Sequence, residues 1–240
     1  MLGKALGSIR LGPRLYAISQ EIRPSLTVAD IGSDHVLLPL FLLEKQGIPE
    51  AIITELGDGP YKRAQSTIEK SPWRNCIQLR QGDGLQPLRK GEAGSVVIAG
   101  LGGDTITEIL ERDWQKAESF QHYVLQPMSR AAVLRECLAE RGWPIERETL
   151  VGEKDKIFVI ISVRPGRSPY YLSPLEKDLG PVILRSDSPW KNAYLQSWRK
   201  KYQKVVQGIR QAGAPEQELR LEEYLQKIEA LEVMAGVSHS

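Results

Sequence analysis

The chain has 240 residues, of which 41% are apolar and 26% charged, a balance that builds a core and argues against a membrane protein or a disordered chain. The 32 basic and 30 acidic residues leave a net charge of +2, too small to mark a nucleic-acid binder by itself. The longest apolar run, residues 36–43, falls far short of the roughly 20 residues that span a bilayer. Residues 1–10 carry no apolar stretch long enough for a signal peptide. Cys76 and Cys137 stand alone, without metal-ligand spacing, so neither a disulfide scaffold nor a metal site is expected, and a reducing cytoplasm suits the chain.

Leu11, Leu15, Ile18 and Ile22 recur at helical spacing and predict a helix over 11–22. A short buried strand from Leu26 ends in a loop at Gly32. The pattern continues with a helix over 36–46 stopped by Gly47, a strand over 51–55, a helix over 60–69, and strands over 76–80 and 95–99. A helix over 104–111, a strand over 123–126, a helix over 130–141 and two β-like runs, 145–151 and 156–163, complete this part. Strands alternating with helices predict an α/β fold: a mostly parallel sheet covered on both faces, with an antiparallel strand closing it. The turn-rich stretch 164–169 marks a boundary, which divides the chain into residues 1–165 and 166–240. Beyond it, Leu195, Trp198, Tyr202, Val205 and Ile209 form a heptad seam, Gly213 and Pro215 break it, and Leu221, Leu225, Ile228 and Leu231 resume an apolar stripe. Two such helices fold back as an antiparallel, coiled-coil-like hairpin.

The chemistry sits at the strand ends. Asp30-Ile-Gly-Ser-Asp-His leaves the first strand with one glycine, Gly32, between acids; the three-glycine dinucleotide fingerprint and the Walker lysine are both absent. Such a turn suits a ligand with a cationic amino-acid end and no pyrophosphate, as S-adenosylmethionine is; a plain tight turn with exposed acids is the alternative. Glu55 ends the second strand, 25 positions after Asp30, where an acid accepts hydrogen bonds from ribose hydroxyls. Gly82-Asp-Gly84 follows the third strand, where Asp83 can accept the adenine amino hydrogen and glycines admit the ring, or can simply form a turn. Ala99, Gly100, Gly102 and Gly103 end the fourth strand with room for close backbone contact. Four ambiguous signals at four successive strand ends point at one cleft.

Read together, Leu11-Gly-Pro-Arg-Leu, Ala29-Asp-Ile-Gly-Ser-Asp-His, Glu55-Leu-Gly-Asp-Gly-Pro, Gly82-Asp-Gly-Leu, Ile98-Ala-Gly-Leu-Gly-Gly, Leu125-Gln-Pro, Leu150-Val-Gly-Glu and Phe158-Val-Ile resemble the bacterial tRNA (adenine-N1)-methyltransferases that act on position 22. The resemblance runs over roughly residues 10–235. It implies a Rossmann-like class I methyltransferase domain over 1–165 and a helical-hairpin domain over 166–240, S-adenosylmethionine as cofactor, tRNA as partner and a monomer. It implies cofactor binding by Asp30, Gly32, Ser33, Glu55, Leu56, Asp83, Gly84, Ala99, Gly100 and Gly102; Asp34 and His35, just past the glycine turn, are candidate catalytic residues, with a helix N-cap pair as the alternative. The sequence departs from the family pattern at Val36-Leu37, where Ala-Tyr is usual, at Leu101 in place of methionine, at Met128 in place of asparagine, and near 65–67, where an asparagine is missing.

Adenine N1 is buried in folded tRNA, so the enzyme needs a grip on RNA to expose it. Residues 185–210 hold seven basic residues against one acid, a strip that suits phosphate, with Lys191, Arg199, Lys200 and Lys204 as candidate contacts; a solvated helix face is the alternative. Trp190, Tyr194, Trp198 and Tyr202 recur every four positions and read as packing rather than as stacking platforms. Rival readings are another S-adenosylmethionine-dependent RNA methyltransferase and a non-catalytic relative that keeps the fold.

Overall fold

The computed structural model describes residues 9–33, 35–212 and 217–234. Helix α1 spans Pro13–Glu21 and strand β1 Val28–Ile31; α2, Leu37–Phe41, runs into a π-helical turn, Leu42–Gln46. Strand β2 (Ala51–Glu55), α3 (Asp58–Glu69), β3 (Ile77–Gln81) and β4 (Ser95–Leu101) follow. Next come α4 (Gly103–Glu111), the short α5 (Trp114–Ala117), β5 (His122–Pro127) and α6 (Ala131–Glu140). The hairpin β6 (Ile145–Glu153) and β7 (Lys156–Val163), then α7 (Pro174–Leu179), α8 (Lys191–Ala212) and α9 (Glu218–Met234), complete the chain.

The strands form one sheet in the order β3-β2-β1-β4-β5-β7-β6. Pairing is parallel from β3 through β5 and antiparallel at β5–β7 and β7–β6. The closing strand of the expected pattern is thus a hairpin whose second arm, β7, inserts beside β5. Strand order reverses between β1 and β4, the switch point where α/β sheets bind ligands outside their carboxyl ends.

Period-two alternation supplies both cores. Val96, Ile98, Tyr123 and Leu125 face one side, with α4, α6 and Trp143; Val97, Val124 and Ile53 face the other, with Ile18, Leu42 and Ala64. The first core is continuous with the hairpin through Tyr194, Leu195, Tyr202 and Leu231. Arg135 on α6 is fully buried at this junction. It pairs with Glu148 at 2.7 Å and donates to the main-chain carbonyls of Lys177 and Asp178 at 2.9 and 2.8 Å. Glu148 in turn accepts the Val182 and Ile183 N–H groups. Asp178 accepts from both Tyr202 and Lys227, so α7 fastens α8 and α9 to the sheet.

Three details differ from the sequence pattern. The helix expected over 36–46 starts only at Leu37 and widens into the π-turn before Gly47 ends it in a left-handed conformation, φ 65°. On α8 the seam runs through Tyr202, Val206 and Ile209, with Val205 only half-buried, and Trp198 is half-buried beside it. On α9 Leu225 is exposed, and Tyr224 packs on Tyr202 instead, ring centroids 5.6 Å apart. The break expected at Gly213 and Pro215 lies outside the described residues.

Candidate active site

The parallel register aligns the functional strand ends: Asp30 lies opposite Ile53 and Val97, and Glu55 opposite Gln81. The carboxyl edge therefore gathers Asp30, Glu55, the 82–84 turn and the 99–103 loop. A cavity of about 140 Å³ opens there, with Asp30, Gly32, Ser33, His35 and Ala99 in its wall.

Asp30 is buried, and loss of hydration pushes its pKa from 3.8 to about 6, against the lowering pull of a hydrogen bond from Ser33. Gly32 has φ +76° with open space where a side chain would be, so the turn keeps its backbone bare toward the cavity. His35 is exposed at the rim. Asp34, its expected companion, lies outside the described residues. Val36 is the conformational oddity: a β-branched, fully buried residue at φ 58° and ψ 12°. A side chain of that shape in the left-handed region stores about 1–3 kcal/mol of strain.

Glu55 is buried at the tip of β2, and the following Leu56 is 64% exposed, an apolar side chain lying bare beside a polar strand end. Gly84 has φ +55°, and a Cβ there would come 2.8 Å from the Ile109 Cγ2 atom. Its carbonyl accepts the Thr54 hydroxyl at 3.0 Å, tying this turn to β2. Asp83 is paired through one carboxylate oxygen with Arg112 at the end of α4, a partner the sequence did not single out.

The β4 and β5 loops are knitted together by main-chain bonds. Gly103 N–H donates to the Ser129 carbonyl at 2.8 Å, and Met128 N–H to the Leu101 carbonyl at 2.7 Å. Gly100, at φ +80°, donates its N–H to the fully buried Gln126 side-chain carbonyl at 3.2 Å. Gln126 also holds Arg14 of α1, at 2.6 Å. Arg14 and Gln126 belong to strings the sequence displays, but no local signal says that residues 112 positions apart meet.

On α8 the basic strip divides. Lys191 donates to the carbonyls of Leu184 and Ser186, capping the preceding turn. Arg199 pairs with Glu232 of α9 at 2.5 Å, inside the hairpin. Lys201 lies over the Trp198 ring, 4.1 Å from its centroid. Lys200 and Lys204, four positions apart on one face, are exposed and join no ion pair among the described residues.

The sheet order, the switch-point cavity and the acids at successive strand ends define a methyltransferase domain, and the family model described as a methyltransferase domain matches residues 11–161. The tRNA (adenine(22)-N(1))-methyltransferase of Bacillus subtilis (strain 168) is 31% identical over 231 residues, covering 94% of this chain and 97% of the relative. The chain belongs to that family. The crystal structure of the Bacillus subtilis m1A22 tRNA methyltransferase matches with a TM-score of 0.84 at 28% identity, over 95% of this chain and 99% of that one. A Streptococcus pneumoniae structure in complex with S-adenosyl-L-methionine, also 28% identical, matches with a TM-score of 0.79 over 92% of this chain and 98% of that one. Among the described residues no helix is long and apolar enough to cross a membrane.

Proposed function

We propose that this protein methylates N1 of an adenine in tRNA, at position 22, using S-adenosylmethionine, as a monomer in the cytoplasm. The observation that carries the reading is the meeting of a buried acid, a bare glycine turn and a second strand-end acid at one sheet edge, in a chain that matches this family over nearly its whole length. When bound, the cofactor supplies a sulfonium methyl that the in-plane lone pair of adenine N1 takes up directly.

The chain's own residues then have five tasks. Asp30, Gly32 and Ser33 receive the amino-acid end of the donor, and Glu55 accepts from its ribose hydroxyls. Leu56, Asp83 and Gly84 bound the adenine, with Arg112 leaving Asp83 one oxygen for the amino group. Ala99, Gly100 and Gly102 present bare backbone where the target base approaches, so the main contribution is alignment rather than acid–base work. His35 stands at the rim of the approach, and Asp34 and His35 are the candidates to offset the positive charge that develops on the methylated ring.

Residues 1–165 carry the cofactor and 166–240 the RNA grip, in which Lys200 and Lys204 touch phosphate while Lys191 and Arg199 shape the hairpin through the partners described above. Incubation with labelled donor and unmodified tRNA transcript tests this. Label in tRNA with a reverse-transcription stop at position 22 is expected. A protein that binds donor but labels another site, or none, refutes it.

A further inference from the structure

A second cavity, of about 280 Å³, opens between the sheet domain and the hairpin. Met128, Arg130 and the first residues of α6 form one wall, Lys156 and Phe158 of β7 another, and Trp198 and Lys201 of α8 a third. It adjoins the smaller cavity at the first-strand turn. Arg14 lines that one, and its guanidinium carbon lies 5.7 Å from the ring centroid of Phe158.

The wall carries three cations and, among the described residues, no acid. Arg130 is paired with Asp104 at 2.9 Å, while Lys156 and Lys201 are exposed and join no ion pair among the described residues. Beside them lie two apolar faces. Met128 is 47% exposed, and the half-buried Trp198 ring is braced by Tyr202, with centroids 5.6 Å apart. The Lys201 ammonium lies over that ring, 4.1 Å from its centroid. Burial there pulls its pKa below the ordinary 10.5, over the opposing attraction of Asp178. Unpaired cations around a braced aromatic ring are the complement of a nucleotide, with phosphate on the lysines and base on the ring. The cations speak against an apolar ligand, and the bare Met128 and Trp198 against a phosphate alone. The place speaks for the strand that carries the target. Met128 N–H is bonded to the Leu101 carbonyl beside the glycines that meet the target base, and α8 carries the exposed Lys200 and Lys204.

We infer that this cavity takes the nucleotide next to the target adenine, its base stacked on Trp198 in place of the Lys201 ammonium and its phosphate on Lys156 and Lys201. The inference rests on the tRNA reading above. The exchange on the ring is favourable, because a base stacks on an indole more strongly than an exposed ammonium sits over one. Seating the neighbour draws the strand across the end of β5 and presents the target at Gly100 and Gly102.

Methylation kinetics of the full-length protein on tRNA transcripts that lack the base just before or just after position 22 test it, with the intact transcript as reference. In the wild type, one of the two deletions is expected to lower kcat/KM by about 10- to 100-fold. Trp198→Leu is expected to cost the intact transcript a similar factor, and to cost that deleted transcript less than about twofold more. Lys156→Gln with Lys201→Gln changes only exposed positions and is expected to follow the same pattern, with a loss of about 5- to 10-fold. S-adenosylhomocysteine titration and melting curves report the fold of each variant, and the lysine pair decides if Trp198→Leu is misfolded. Losses that multiply between variant and deletion overturn the inference, since base and cavity then act apart. Wild-type rates unchanged on both deleted transcripts also overturn it. Wild-type protein that leaves the intact transcript unmethylated refutes the tRNA reading itself.

Discussion

Replacing Asp30 with asparagine separates the cost of burying an acid from its use. Burial carries the Asp30 pKa from 3.8 to about 6, so between those values the native state holds a proton that the unfolded chain has released. Stability from this group is therefore full below about pH 4 and is lost as pH rises through 6. At about 1.4 kcal/mol for each tenfold, the ionised carboxylate costs the native state about 3 kcal/mol at pH 8. Asparagine keeps a side-chain carbonyl for Ser33 and carries no charge, so Asp30→Asn should stabilise the ligand-free protein at pH 8 by about 2–3 kcal/mol, a rise in Tm of roughly 4–10 °C. The gain should vanish at pH 4. Binding should move the other way: S-adenosylhomocysteine affinity falls by about 10- to 100-fold in the variant, from loss of a charge-assisted bond to the ligand ammonium. In the wild type the same affinity should drop as pH falls below 6, since the acid must first give up its proton. Melting curves from pH 4 to 8, with and without ligand, read all of this. Parallel pH profiles for wild type and variant would refute the reasoning.

A chain ending at residue 167 leaves the Arg135–Glu148 pair intact but removes the carbonyls that Arg135 serves and the N–H groups that Glu148 accepts, at about 1–3 kcal/mol for each group left unsatisfied. It should melt well below a chain ending at residue 189, and equal melting temperatures would contradict the account of the junction. Lys200→Gln with Lys204→Gln should lower the slope of log tRNA affinity against log salt by about 2 without moving donor affinity, whereas Arg199→Gln should lower the Tm by opening its pair with Glu232. Gly84→Ala should destabilise more than Gly32→Ala: both positions have positive φ, at about 1–2 kcal/mol for a Cβ, but only Gly84 lacks space, against Ile109. Denaturant midpoints rank the two.

Two strands were legible to the residue, the ranges 51–55 and 156–163, while the others shift or extend by one or two residues at their ends. Helix α5 was not, because four residues carry no periodicity; its start is fixed by the Asp113 carboxylate capping Lys116 N–H. Helix α7 did carry a readable signal, the Ser173–Glu176 capping box, which a search for apolar stripes passes over. The heptad template chose Val205 because it assumes one facing helix. In the fold α8 also packs on the sheet domain through Tyr194 and Leu195, and the buried face follows the ordinary helical period to Val206. At the site, acids at strand ends can be read because the strand that precedes each one is visible. The Arg14–Gln126 contact and the Asp83–Arg112 pair depend on topology, which brings distant segments together. Charge counting likewise could not tell that Arg199 is engaged by an acid 33 positions further on.

The cross-bonds between the β4 and β5 loops have a mechanical consequence. With Gly103 held by Ser129, Met128 by Leu101, and Gly100 by Gln126, the two loops form a single stiff lip. A Cβ at Gly103 would collide with the Arg130 carbonyl, so the two backbones pack closely at the base of the lip. The ends of β4 and β5 therefore reach the cleft as one braced edge rather than as two independent loops. A substitution that breaks one of these bonds is then felt on both loops at once, along the edge that faces the first-strand turn.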